Sequence, residues 1–297
     1  MTSTKRAMYR RGCEAAAHTL GVHNGYPCPI CGDVFPEALL TVEHAPPESV
    51  GGQIVALTCK PCNDRAGYTV DAAISQRYEI GKFARLIAHK ETTELVRGSI
   101  TVGAVKIRVE ISRSDDGAVV FSVLDDVNDP AAVERVSTYL ATLVEQGRGD
   151  GEEFTVSSHA RYHARHVQVG LLRSAFLGAF GVFGYRYAFA GQLEPVRRQI
   201  MAPDETIIQN WIVSADFGAE LPRWALLLTQ LPAVLVVKLD DVCVLLPPPN
   251  SPGDFYSRLA EAYTEKRTEQ ISGTIIPWPE KLQMHLDFRS SSAGSEV

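Results

Sequence analysis

The 297 residues predict an α+β fold, and three observations carry that expectation. Two Cys-x-x-Cys pairs bracket a strand–loop–strand–helix pattern near the N-terminus. Runs of period-two alternation further on read as antiparallel strands, and several apolar stretches have the length and spacing of helices. With 45% apolar residues the chain can bury a sizeable core and divide into two or three units.

Residues 4–20 open the chain as a helix ended by Gly21, with Lys5, Arg6, Arg10 and Arg11 in its first half. These are followed by polar residues rather than an apolar run, so no secretory leader is expected and the six cysteines read as reduced thiols. Cys28 and Cys31 form the first pair, Cys59 and Cys62 the second. Two residues between paired cysteines let both sulfurs reach one ion, and four thiolates suit tetrahedral zinc, so the pairs predict a closed structural Zn²⁺ site. A redox motif would need only one pair. Cys13 and Cys243 remain as ordinary buried or free thiols. A segment as short as residues 26–71 is near the limit of what an apolar core alone can fold, and zinc can contribute on the order of 10 kcal/mol there.

Between the pairs, residues 39–44 are β-prone. Residues 45–52, with two prolines and two glycines, form a loop, and residues 53–58 form a second β-prone run. A helix begins around Asn63, for which helix capping and metal ligation are both open readings. Glu43–His44 ends the first strand; away from such a setting a carboxylate beside a histidine is more often a hydrogen-bonded structural pair.

At this point the sequence resembles the HNH endonucleases, and within them the type 5 group. The residues that carry the likeness are Glu43-His44-Ala45-Pro46-Pro47-Glu48-Ser49-Val50-Gly51-Gly52 and Cys59-Lys60-Pro61-Cys62-Asn63-Asp64-Arg65-Ala66-Gly67. Many HNH proteins carry Asp before the histidine and a central Asn in the second strand; here Glu43 and the run Ile54-Val55-Ala56 occupy those places. The resemblance implies a zinc-stabilised ββα-metal unit followed by a mixed helical and antiparallel β region. It also implies a metal-dependent DNA endonuclease with His44 as the general base, and a catalytic Mg²⁺ or Mn²⁺ held by Glu43 and Asn63. Those residue types suit the chemistry: hard cations prefer oxygen ligands, and an imidazole can accept a proton at working pH. The alternative is a catalytically silent zinc-binding module that contacts nucleic acid or protein. An enzyme of this kind is expected in the cytoplasm, where defence against foreign DNA or mobile-element activity are roles open to it.

The net charge of −6 argues against a protein that coats DNA by bulk charge, but its distribution is uneven. Residues 1–90 hold ten Lys and Arg against eight Asp and Glu, a net of +2, which leaves −8 for the remainder. Lys5, Arg6, Arg10, Arg11 and Arg65 are therefore candidate phosphate contacts, with a solvated helix face as the alternative for the first four. Residues 72–89 read as a helix, residues 99–124 as antiparallel strands with a turn at 114–117, and residues 130–146 as a helix. Residues 147–152 form a Gly-rich acidic linker.

His159, His163 and His166 then fall at helical spacing beside Arg161 and Arg165, which suggests an exposed helix face, a metal site, or phosphate contact through the two arginines. Residues 171–187 are apolar with glycines at three-residue steps. Arg173 and Arg186 cut the run below bilayer length, so it reads as a buried core helix and no membrane partner is expected. Residues 207–213, 224–228, 233–239 and 242–246 are β-prone, the last two joined by Asp240-Asp241. Residues 254–268 are helical and 290–297 a disordered tail. The expected domains are a basic helix at 1–25, the HNH unit at 26–90, a hairpin-plus-helix region at 91–150 and a C-terminal α+β domain at 151–289. The last of these is where a protein partner or a second copy of the chain would dock. No internal repeat, phosphate-binding glycine loop or ATP-driven motor is present in the sequence.

Overall fold

The computed structural model describes residues 3–88, 94–145, 155–157, 162–213, 221–230, 233–251, 253–262 and 273–279. They form an α+β protein whose sheets are all antiparallel. Residues 1–75 and 163–297 make one compact unit and residues 76–162 a second, so the chain leaves the first unit, builds the second, and returns. The division falls inside a helix rather than at residues 90 and 150, because the segment from residue 163 on completes the core begun by residues 1–75.

In the first unit, helix α1 (Ser3–Leu20) buries Met8, Ala15 and Ala16, a stripe at helical spacing. Gly12 lies on the same side, where a Cβ would sit 2.2 Å from the ring of Tyr26. Strands β1 (Tyr26–Pro27) and β2 (Val34–Phe35) form a short hairpin. Strands β3 (Leu40–Ala45) and β4 (Gln53–Cys59) form a longer one, and helix α2 (Lys60–Ala66) follows at once. A π-helical turn at Gly67–Asp71 leads into helix α3 (Ala72–Ala88), within which the unit ends.

The second unit contains a four-stranded sheet in the order β7-β6-β5-β8, from β5 (Val96–Val102), β6 (Val105–Arg113), β7 (Val119–Val123) and β8 (Thr155–Ser157). Helix α4 (Pro130–Glu145) packs on β6. Ile100, Ile107, Val109, Ile111, Ala132 and Val136 build its core with Leu86. The alternation noted in the sequence thus becomes a one-sided sheet under a helix.

Back in the first unit, α5 (Ala164–Ala188) is the element around which the rest packs. It contacts α1, both strands of the β3–β4 hairpin, the π-helical turn, and two strands of the C-terminal sheet. Among the described residues it is the one helix long and apolar enough to cross a membrane, and nearly all of it is buried in protein, as expected of a core helix. Its glycines are points of close approach: a Cβ at Gly170 would lie 2.8 Å from the Val70 carbonyl oxygen, and one at Gly181 3.0 Å from Pro279. Gly184, with φ 71° and ψ −162°, breaks the helix, a conformation open to glycine alone at little cost. Helix α6 (Glu194–Met201) folds back against α5.

The C-terminal sheet has the order β13-β10-β11-β12-β9, from β9 (Ile212–Val213), β10 (Trp224–Thr229), β11 (Leu235–Leu239), β12 (Val242–Leu246) and β13 (Gly273–Pro277). Helix α7 (Phe255–Ala262) puts Phe255 into its core with Val236, Cys243 and Leu245. The Asp240-Asp241 hairpin forms as expected, with Asp240 at φ 55°. The strand expected at 207–213 pairs only at its end, because the amides of Ile207 and Ile208 both donate to Gln199 Oε1 and Asn210 turns the chain at φ 58°. Strand β13 was not foreseen. The linker at 147–152 and the tail at 290–297 lie outside the described residues, as does the last part of the helix expected at 254–268.

Gly178 faces Trp278, and a Cβ there would lie 2.3 Å from an indole held by its own hydrogen bond to Ala45 O. Gly178→Ala is therefore expected to destabilise the protein by about 1–3 kcal/mol in urea unfolding, outweighing alanine's advantage of roughly 1 kcal/mol in a helix. Gly191→Ala, where a Cβ meets nothing, should stay within about 0.5 kcal/mol of wild type.

Candidate functional site

The four expected zinc ligands converge. In the β1–β2 hairpin the Cys28 amide donates to Asp33 O (2.9 Å) and the Gly32 amide to Cys28 O (2.9 Å), with Gly32 at φ 87°. This tight turn sets Cys28 and Cys31 side by side. Cys59 is the last residue of β4 and the N-cap of α2, and Cys62 sits one turn on. Pro61 fits the first helical turn, where no amide partner is needed. All four sulfurs lie within 4.8 Å of one another, and Cys31 Sγ is 3.8 Å from Cys59 Sγ. A zinc–sulfur bond of about 2.3 Å gives a tetrahedral edge of about 3.8 Å, so the set fits zinc.

The Cys59 amide also donates to Cys28 Sγ at 3.4 Å, a contact that favours a thiolate. Contact with neighbouring thiols holds Cys28 below the ordinary thiol range, through Cys31, and Cys59 at about 7, through Cys28, while Cys62 is pushed up by Cys28 and Cys31. Four thiols this close cannot all ionise by themselves; a cation lets them do so together.

The motif between the pairs is shaped by a β-bulge. Glu43 pairs with Ala56, but the next residue, His44, pairs with Ile54, so the register shifts between them. Val55 of β4 is the extra residue; Glu43 and His44, neighbours on β3, face opposite sides, so Glu43 is 3% exposed whereas His44 is half-exposed. The loop after it turns through Glu48–Val50 and ends at Gly51 (φ 85°) and Gly52. A Cβ on Gly52 would lie 1.5 Å from Pro46 O, which explains the second glycine of the motif.

Asn63 is half-exposed in α2 but is the helix's fourth residue; Cys59 caps the helix, so the capping reading of Asn63 is corrected. Cysteines three apart must share one helical side to reach a single ion, and this places the helix start ahead of Cys62.

Glu43 has two partners that the sequence reading missed. Its Oε2 accepts a hydrogen bond from Thr58 Oγ1 (2.8 Å) and lies 2.6 Å from Arg173 Nη2. Arg173, on α5 and 2% exposed, also reaches Asp71 Oδ1 at 3.2 Å and Oδ2 at 3.3 Å. Burial works against the guanidinium charge, but Glu43 and Asp71 more than offset it, so Arg173 is held protonated. Burial raises the Asp71 carboxyl, with Arg173 opposing. A divalent ion on Glu43 would sit against this guanidinium, whose positive charge would oppose the ion. A signal for the partner was available: a lone arginine inside a long apolar helix must be paired when buried.

The candidate phosphate contacts differ in placement. Arg6 and Arg10 are exposed one turn apart on α1, Arg11 is also exposed and Lys5 half-exposed. Arg65 is exposed and donates to Met201 O at 3.2 Å. Arg165 is half-exposed, stacks over Trp211 at 4.9 Å, and donates to Gln199 Oε1 (3.0 Å) and Glu205 O (2.6 Å). Arg161 and His159 lie outside the described residues. His163 precedes α5 rather than lying on it, its ring 4.5 Å from that of His166, and His166 Nε2 is 2.8 Å from Asp204 Oδ1.

A two-stranded hairpin, a helix and a four-cysteine centre holding them together define a zinc-knuckle ββα unit. Residues 28–79 match the model of a family described as HNH endonuclease, which bears out the resemblance carried by the Glu43-His44 and Cys59–Asn63 segments. Searches of curated proteins and of solved structures find no match to the chain.

Cys59→Ser is expected to abolish zinc binding, measured as one equivalent of metal per wild-type chain, and to lower the melting temperature. A variant retaining a full equivalent of zinc would contradict the four-thiolate site.

Proposed function

We propose that the protein is an HNH-type endonuclease that hydrolyses DNA phosphodiesters, with His44 as the general base that takes a proton from the attacking water. The observation that carries this reading is the placement of the Glu43–His44 pair: Glu43 is buried and the His44 imidazole half-exposed on a hairpin tied by four cysteines to the helix bearing Asn63. Zinc holds this frame. Mg²⁺ or Mn²⁺ is the proposed supporting ion, which phosphodiester cleavage uses to neutralise developing charge; Glu43, engaged with Arg173, is not assigned to it. Asn63 offers a polar side chain at the opening turns of α2 for substrate or ion. The exposed face of α1 with Arg6 and Arg10 is proposed to ride on DNA phosphates, and a cytoplasmic location is part of the same proposal.

The engagement of Glu43 by Arg173 favours a second reading, a zinc-supported binding module that does not cut. The two separate on cleavage of supercoiled and single-stranded DNA by the zinc-loaded protein with Mg²⁺ or Mn²⁺. His44→Ala is expected to lower cleavage by at least a hundredfold at unchanged zinc content and melting temperature. No cleavage by the wild-type protein, with retained DNA affinity, would establish the binding module instead.

Neutralising Arg6 and Arg10 together should reduce the slope of log affinity against log salt by about 1.8 for duplex DNA, two phosphate contacts at roughly 0.9 each. An unchanged slope would remove α1 from the interface.

A further inference from the structure

Arg173 joins two parts of the motif, the end of β3 and the π-helical turn after α2. One end of its guanidinium meets Glu43, the residue before His44 on β3. The other meets Asp71, at the end of the π-helical turn that continues from the helix carrying Asn63. The Glu43 contact is buried, with side chains of Arg173 2% and Glu43 4% exposed, and the Asp71 contact is partly buried. A guanidinium held between two carboxylates fixes the distance between the segments that carry them. Thr58, directly across the hairpin from the neighbouring Thr41, adds a third tie to Glu43. Arg173 lies outside residues 28–79, so the brace comes from a part of the chain that the family match does not include.

We infer that Arg173 is a positioning residue: it braces β3 to the helical segment after Asn63 through Glu43 and Asp71, and Glu43 serves as the buried anchor of this brace rather than as a ligand of the catalytic ion. Three features support the anchor role. The Glu43 oxygen nearest Arg173 is the one that Thr58 also contacts, so that oxygen is fully engaged. Releasing Glu43 to a metal would leave a buried guanidinium with Asp71 as its one carboxylate partner. His44 follows Glu43 directly on β3 and projects from the opposite side of the strand, so an anchored Glu43 sets where the imidazole projects.

This inference rests on the nuclease reading for its purpose but not for its test. The full-length, zinc-loaded protein would be compared with Glu43→Gln, Arg173→Lys, Arg173→Met and the uncharged triple variant Glu43→Gln/Asp71→Asn/Arg173→Met. The triple variant keeps the core filled if a single charge deletion prevents folding. Two quantities are read: Mn²⁺ affinity by electron paramagnetic resonance, and the rate of His44 carbethoxylation by mass spectrometry, with the exposed His18 and His23 as internal references.

The expected result is Mn²⁺ affinity within twofold of wild type in Glu43→Gln. The His44 modification rate should change at least threefold in Glu43→Gln and in Arg173→Met or the triple variant, with His18 and His23 unchanged and Arg173→Lys between the extremes. A tenfold or greater loss of Mn²⁺ affinity in Glu43→Gln would make Glu43 a ligand and overturn the inference. A His44 rate unaltered in every variant would overturn it too. Absence of Mn²⁺ binding by the wild-type protein would count against the nuclease reading, while the His44 rates would still decide whether the brace positions the imidazole.

Discussion

The arrangement of the first unit depends on one buried cation. Arg173 stands in the middle of a helix whose neighbours Leu172, Ala175 and Phe176 are all buried, and it faces two carboxylates brought from segments about a hundred residues earlier. Taking three charges out of water is costly, and a buried ion pair often does no better for stability than apolar side chains of the same volume. What an arginine between two carboxylates provides in return is a unique geometry. Sliding β3 by one residue would swing Glu43 to the other face of the hairpin and strand the guanidinium. The triad therefore selects one register of the hairpin and one seat for α5 against it.

Zinc and α5 divide the work of holding the ββα unit. The metal site fixes where the hairpin ends and α2 begins, through Cys59 and Cys62, and ties that junction to the β1–β2 turn. The apolar core of the same unit is shared with α5 and α1. Tyr26 is stacked near Tyr9 and edge-on to Tyr185, whose hydroxyl donates to Pro27 O at 3.0 Å, while Leu40, Val55 and Leu57 are fully buried. Arg197 of α6 stacks over Phe189 and comes within reach of the Gly32 turn. A segment too short to make its own core thus borrows one from helices far along the chain, and zinc need not supply all of its folding energy.

What was legible in the sequence was what spacing encodes. Cysteines three apart, the Glu43–His44 strand end, the Gly51–Gly52 turn and the buried helix with its close-packed glycines are local patterns, and each takes the predicted form. The partners of Glu43 were not legible, because residue 173 and residue 43 meet only through tertiary packing. In the sequence Arg173 reads as a break in an apolar run and not as a charge in need of partners. Strand β13 was missed for a related reason: its residues are mostly exposed, so it lacks the alternation of a half-buried strand and exists through pairing with β10. The strand expected at residue 207 failed in the opposite direction, since a buried glutamine side chain captured the amides that a neighbouring strand would have used.

The β3–β4 hairpin is held on its inner side at three successive levels. Near the cysteines, Leu40 pairs with Cys59. In the middle, Glu43 is tied to Thr58 and Arg173. At the loop, the Trp278 indole donates to Ala45 O at 3.2 Å. Each tie comes from a different source: a metal centre, a buried ion pair and a hydrogen bond from the segment after β13. His44 lies between the second and third levels, on the other face of the strand. A general base misplaced by an ångström loses much of its effect, so a histidine on a two-stranded hairpin is useful only when the strand beneath it cannot slide or twist. Ties on both sides of His44 meet that requirement, and two of them come from beyond residue 79. The chemistry proposed for the motif is thus a property of the whole first unit rather than of the segment that carries the family signature.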